Sequence, residues 1–213
     1  MTSSPVDATV RYIEAQDVAD YFQTGITLTS TTDPTVNQVN KFIDFAMAEI
    51  ERRTNRAWRE MRFDQLVRDV PRTYHFTRGF PIFLPHTDVR ALSSADGDKF
   101  EVWDGSEYKD MLADGSLTYE ELPKLGKIYI RGYAWSWLRF DRFKITYRYG
   151  SVITDDVKEM CTKLACVKWL ERSFNLDIIQ FGGAISPQDA IKRWKEDVSK
   201  WIGEVAELVV VEY

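Results

Sequence analysis

The side chains able to do chemistry are few and scattered. Two histidines, His75 and His86, make up the whole imidazole supply. His75 stands between Tyr74 and Phe76 in a stretch read as extended or loop, where its ring is expected to be a partly buried polar aromatic rather than a general base. The sequence contains no GxSxG nucleophile elbow, no GxxxxGK phosphate loop and no HExxH zinc signature. Asp96, Asp98 and Asp104 could ligate calcium, but the glycines after Asp96 and Asp104 make turns the first reading, and the spacing is not that of an EF-hand. The expectation is a chain with no catalytic, cofactor or metal residues, and so not an enzyme.

Two basic stretches offer binding chemistry instead. GYAWSWLRFDRFK, if extended, puts Tyr133, Trp135 and Trp137 on one side, with Arg131, Arg139, Arg142 and Lys144 nearby. That mixture suits a protein interface, single-stranded nucleic acid, or a long hairpin whose rings cover their own core. EIERRTNRAW has its arginines where a helix would end. There, cations favour the negative end of the helix dipole, and Glu49 precedes Arg53 by the four residues of a helical ion pair. Asn55 then suits the left-handed residue that stops the helix, so capping is preferred here to a nucleic-acid grip.

Composition agrees with a folded chain that is no general polyanion binder. The 213 residues are 44% hydrophobic and carry a formal charge of -5, with acids and bases spread along the chain. Cys161 and Cys166 are five apart in an apolar periodic stretch and read as buried thiols in a reducing compartment. No apolar run approaches the roughly 20 residues of a membrane span, and MTSSPVDATV does not read as a signal peptide. Cytosolic synthesis is expected.

The elements that would position these groups fall into three parts. Residues 1–55 read as an N-terminal helical part. Val18, Tyr21 and Phe22 face inward on a short helix closed by Gly25; then Asp33 caps Pro34 to open a helix with Val36, Val39, Ile43, Ala46, Met47 and Ile50 as its stripe. Residues 56–150 read as a β-rich insertion, with Asp-Gly turns at 96, 104 and 114 and strand candidates at 100–103, 108–112, 127–130 and 143–149. Residues 151–213 return to helices that complete a small bundle. Thr154 and Ser186 are the caps, Ile191, Trp194, Val198, Trp201, Ile202 and Val205 form the last stripe, and the apolar end is LVVVEY. Leu208, Val209, Val210, Val211 and Tyr213 are candidate interface residues, expected to add a strand or extended arm to another chain, or else to fold back on their own domain. The fold class is α+β.

This order carries a family resemblance. A short helix ending in glycine, the long helix FIDFAMAEIERRTNRAW, an insertion containing PIFLPHTDVRAL and EVWDGSEY, then KITYRYG with TDDVKEMCTKLACVKWL, resembles the head-tail connector (adaptor) proteins of long-tailed double-stranded DNA viruses. The likeness covers most of residues 12 to 172. Asn55 stands where that family often has glycine, and the insertion and the segment after Ser173 are longer than in its smallest members. The resemblance implies a structural virion protein at the head-tail interface. It would form a ring, commonly twelve-fold, under the portal and dock a stopper or tail-completion protein, with DNA passing without specific binding. The alternative is a nucleic-acid-binding module using the Tyr133 to Lys144 stretch.

Overall fold

The computed structural model describes residues 2–7, 9–22, 25–69, 80–115, 118–131, 142–172 and 186–210. It is α+β and divides into a β unit, residues 1–7 with 60–151, and a helical unit, residues 8–59 with 152–213. The first residues, read from sequence as part of the helical segment, instead form strand β1 (Thr2–Pro5), which pairs with β2 (Met61–Asp69).

In the helical unit, α1 (Ala15–Tyr21), α2 (Val36–Thr54), α3 (Asp155–Arg172) and α4 (Pro187–Val210) enclose one apolar cluster. α2 contributes Val39, Ile43, Ala46, Met47 and Ile50, the spacing of one helical face, and α4 contributes Val198 and Ile202. Tyr21, expected to face inward, is 39% exposed and lies edge-on to Trp194, while Ala19 takes the buried position. Both cysteines are buried and unbridged.

The start of α2 differs from the sequence reading. Asp33-Pro34 lies outside the helix, and Thr35 is the cap. Its hydroxyl accepts the Gln38 N–H at 3.3 Å while its own N–H donates to Gln38 Oε1 at 3.0 Å. This reciprocal Thr-x-x-Gln box satisfies two donors, more than the aspartate two residues earlier can reach. Ser186 caps α4 as expected, its hydroxyl accepting from Asp189 N at 3.1 Å. The helix it opens continues through Val210, so Leu208 to Val210 are helical rather than the start of an extended arm. Adding β-branched residues to a 24-residue helix needs no new nucleus.

The far end of α2 follows the sequence closely. Asn55 is left-handed (φ 53°, ψ 29°), Arg52 and Arg53 occupy the last turn, and Glu49 holds Arg52 Nη2 at 2.8 Å more closely than the expected Arg53, whose Nε lies at 4.0 Å. Just beyond, the Trp58 N–H donates to the Tyr12 hydroxyl at 3.1 Å, and that hydroxyl donates to Glu51 Oε1 at 2.7 Å. Arg59 Nε closes the set on Glu51 at 2.9 Å. One phenol thus joins the entry segment, α2 and the exit segment. Burial first, then the Glu51 charge, raises the pKa of Tyr12 well above its ordinary range, so it stays a donor.

The β unit holds two antiparallel sheets. The larger, ordered β1-β2-β8-β4-β5, uses β4 (Lys99–Trp103), β5 (Tyr108–Asp110) and β8 (Arg142–Tyr149); the smaller, β3-β7-β6, uses β3 (Phe80–Phe83), β6 (Thr118–Leu122) and β7 (Lys127–Arg131). β8 is central and alternates as the sequence predicts, burying Phe143, Ile145, Tyr147 and Tyr149. Gly97, Gly105 and Gly115 all take positive φ at the foreseen turns. Gly126 is the most constrained, with φ +56° and space for a Cβ only 2.2 Å from the His86 carbonyl oxygen.

Two outcomes test these local structures. Asn55→Gly should leave the thermal midpoint unchanged or slightly raised, whereas Asn55→Val should cost about 1 kcal/mol or more through strain at positive φ; equal midpoints would remove Asn55 as the helix stop. Tyr12→Phe should cost about 1–3 kcal/mol in denaturant titration, because the Trp58 N–H loses its partner while the ring remains. A loss below about 0.5 kcal/mol would mean that the backbone group finds another acceptor.

Candidate interaction surfaces

The residues chosen from sequence as interface candidates are only partly placed. Tyr133, Trp135, Trp137, Val211 and Tyr213 lie outside the described residues, as do Arg139 and His75. Leu208, Val209 and Val210 are the last turn of α4. Arg142 and Lys144 lie on β8, where Lys144 Nζ sits 3.5 Å from the centroid of the Tyr108 ring, so the basic end of GYAWSWLRFDRFK is engaged with β5.

Of the carboxylates considered for calcium, Asp96 and Asp98 meet at Arg148, and Asp104 holds a separate turn. Asp98 is 1% exposed and accepts Arg148 Nε and Nη2 at 3.1–3.2 Å and Ser93 N–H at 3.0 Å. Asp96 meets Arg148 Nη2 at 2.8 Å. Burial pushes the Asp98 carboxyl up, and the Ser93 N–H and Arg148 oppose that rise. Asp104 instead holds its own turn, accepting Ser106 and Glu107 N–H groups at 2.9 and 3.0 Å and pairing with Lys109 at 2.7 Å. These donors, Lys109 first, hold its carboxyl well below the usual range. Among the described residues no group of three or more His, Cys, Asp or Glu side chains could hold a metal ion.

Sequence reasoning missed the arrangement around Arg148. Besides Asp96 and Asp98, its guanidinium meets Glu60 Oε1 at 3.1 Å, and Glu60 also pairs with Arg90 at 3.3 Å. Arg62 donates to the Asp96 carbonyl. The alternation of β8 marks Arg148 as facing away from Tyr147 and Tyr149, but nothing local shows that three acids from distant positions converge there.

His86 was singled out only by type. Its ring stacks on Tyr149 at 3.9 Å and meets Phe63 edge-on at 4.9 Å, with Nδ1 2.8 Å from the Tyr147 hydroxyl. Burial pushes its pKa down to about 4, so the imidazole is neutral at neutral pH. The arrangement is an aromatic packing site with one hydrogen bond.

A different face presents exposed rings and cations. On the three-stranded sheet, Ile82, Ile128 and Ile130 point inward, which leaves Phe83, Lys127, Tyr129 and Arg131 on the opposite side of their strands. Phe83 is 55% exposed, with Lys127 Nζ 5.3 Å from its centroid; Arg131 lies 5.9 Å from that of Tyr129 and pairs with Glu120. Within the helical unit, a groove of about 380 Å³ runs beside α1, lined in part by Glu14, Gln16, Leu28, Val36 and Asn40.

No protein-family model matches the chain, and no curated protein matches it. Among solved structures, it is similar in fold to a chain from the neck of an empty gene transfer agent (GTA) particle computed with C6 symmetry. The TM-score is 0.51 at 15% identity, over 91% of this chain and 95% of that one. A chain in the virion of the native gene transfer agent particle gives a TM-score of 0.47 at 17% identity, with the same coverage.

His86 gives the β unit one contribution to its pH dependence. Its folded pKa of about 4 lies below the free value of 6.5, so between these values protons bind the unfolded chain more strongly. The stability it contributes is complete above pH 6.5 and is lost as pH falls toward 4. His86→Phe keeps the stacked ring and lacks the titration. Its denaturation midpoint should therefore fall less than that of the parent between pH 7 and about 4.5; parallel pH profiles would show that His86 is not the responsible group.

Proposed function

We propose that this chain is a structural subunit of the neck of a tailed, virus-like particle. It would form a ring beneath the portal and dock a stopper or tail-completion protein while DNA passes through the centre. The observation that carries this reading is the fold likeness to a neck chain of a gene transfer agent particle, which spans nearly the full length of both chains. The resemblance of the sequence to head-tail connectors points the same way. The C6 symmetry of that neck is compatible with a twelve-subunit ring. A formal charge of -5 suits a channel wall that must release DNA, since phosphate contacts made by excess basic residues would hold it.

In this role the chain works through surfaces rather than reactive groups, as a protein made in the host cytoplasm and carried in the virion. The aromatic stretch with Tyr133, Trp135 and Trp137, and the end from Leu208 to Tyr213, are the proposed contacts with the portal or the stopper. Because α4 is helical to Val210, its end would dock as a helix face and a short terminus.

Particles assembled without this chain should accumulate DNA-filled or emptied heads and separate tails, seen by electron microscopy. Restoring the chain should restore joined particles, whereas a chain lacking residues 208–213 should fold yet join few. Normal numbers of joined particles in its absence would overturn the neck reading.

A further inference from the structure

Two surfaces of the chain differ in charge and carry exposed apolar side chains. The first is the outward face of the three-stranded sheet, where Phe83 (55% exposed) has Lys127 beside it and Arg131 lies on the same side of β7, with Lys124 and Leu125 (38% exposed) in the turn 123–125 that leads into β7. Glu120 pairs with Arg131. The second belongs to the α1 region. Residues 12–40 contain Glu14, Asp17, Asp20 and Asp33 and no lysine or arginine. Tyr21 and Ile26 are 39% and 44% exposed there, and the groove of about 380 Å³ opens beside Glu14. Arg11, also in the groove lining, is neutralised by Asp44 through contacts of 2.8 and 3.1 Å. One face sets cations around exposed apolar side chains; the other sets carboxylates around exposed apolar side chains and a groove.

We infer that the occupant of the basic sheet face is a second copy of this chain, which presents its α1 region, with Phe83 entering the groove beside Glu14. The inference rests on the neck reading and deepens it by naming the contact between neighbouring subunits. Because the two surfaces differ, the contact is heterologous and repeats from copy to copy, closing into a ring when the rotation allows. The exposed charges set orientation and make the association sensitive to salt, while the rings supply the apolar area that persists at high salt.

Charge exchange tests this on the full-length chain. One variant carries Lys124→Glu with Lys127→Glu, the other Glu14→Lys with Asp20→Lys; circular dichroism establishes that both fold. Sedimentation velocity and native mass spectrometry should show the parent self-associating and each variant at least about tenfold weaker, as like charges then face each other. Mixing the two variants should restore association, because each altered face meets an opposite one. Phe83→Ser, at an exposed position where folding is little affected, should also weaken association.

If both variants associate like the parent, or the mixture stays dissociated, the inference fails. The neck reading then stands on its own particle test, with the subunit contact elsewhere. A parent chain that remains monomeric at all accessible concentrations also overturns the inference. So does a fluorescent single-stranded oligonucleotide that binds the parent and not the Lys124/Lys127 variant while self-association is unchanged, since the face would then serve nucleic acid.

Discussion

The β unit depends on a single guanidinium. Asp98 is 1% exposed, and an isolated buried carboxylate is not tolerated without a cation or several donors. Arg148 supplies the cation from the central strand β8 and at the same time reaches Asp96, Glu60 and the Ala91 carbonyl. Its fork therefore ties the segment entering β2, the turn before β4 and the loop carrying Arg90 to one point. Removing one partner of such a buried pair costs about 3–5 kcal/mol, because the other charge is left uncompensated. The chain around it is arranged accordingly: the Arg90 N–H donates to the Arg148 carbonyl at 2.9 Å, and Ser93 caps the carboxylate that Arg148 holds.

The helical unit solves a related problem with a neutral group. α2 ends at a left-handed residue, so the following backbone turns away and its N–H groups need acceptors. The Tyr12 hydroxyl meets that need for Trp58 while donating to Glu51, and Glu51 is in turn held by Arg59. The aromatic ring of Trp58 is thereby fixed against Tyr12 and Trp201, where it joins the core that α4 closes. Beside this core the buried Lys163 on α3 reaches both Asp197 on α4 and Glu159 at 2.9 Å, so a cation at the core's edge becomes a link between helices.

What the sequence made legible is what short-range physics decides. The arginines and Asn55 at the end of α2, the Ser186 cap, the Asp-Gly turns and the alternation of β8 each rest on residues within a few positions of one another. The elements that escaped notice rest on distant partners. β1 has the sequence TSSP, with no apolar alternation, and exists because the edge of β2 is available to it. β2 begins with Met61 and Phe63 in phase, then shifts register before Leu66, and that irregularity breaks the period that would announce a strand. β6 reads as polar TYEEL, yet the Glu121 carboxylate accepts the Leu92 N–H at 2.7 Å and the Tyr119 hydroxyl donates to the Leu92 carbonyl at 3.2 Å. The candidate surface was missed for the same reason: Phe83 and Lys127 become neighbours only once β3 pairs with β7.

If the chain does assemble as a ring, its charge poses a constraint that the surfaces must meet. A subunit with a formal charge of -5 repels its copies, and the repulsion grows with each one added. Salt limits the reach of that repulsion to about 8 Å at physiological ionic strength, so the balance is decided by the charges at the contact itself. A contact between two acidic patches would therefore oppose closure, while one that sets Lys124 and Lys127 against Glu14 and Asp20 reverses the local sign and leaves the net negative charge elsewhere. On the proposed ring reading, an acidic subunit needs at least this local reversal where copies meet, while its net negative charge limits the hold on phosphate.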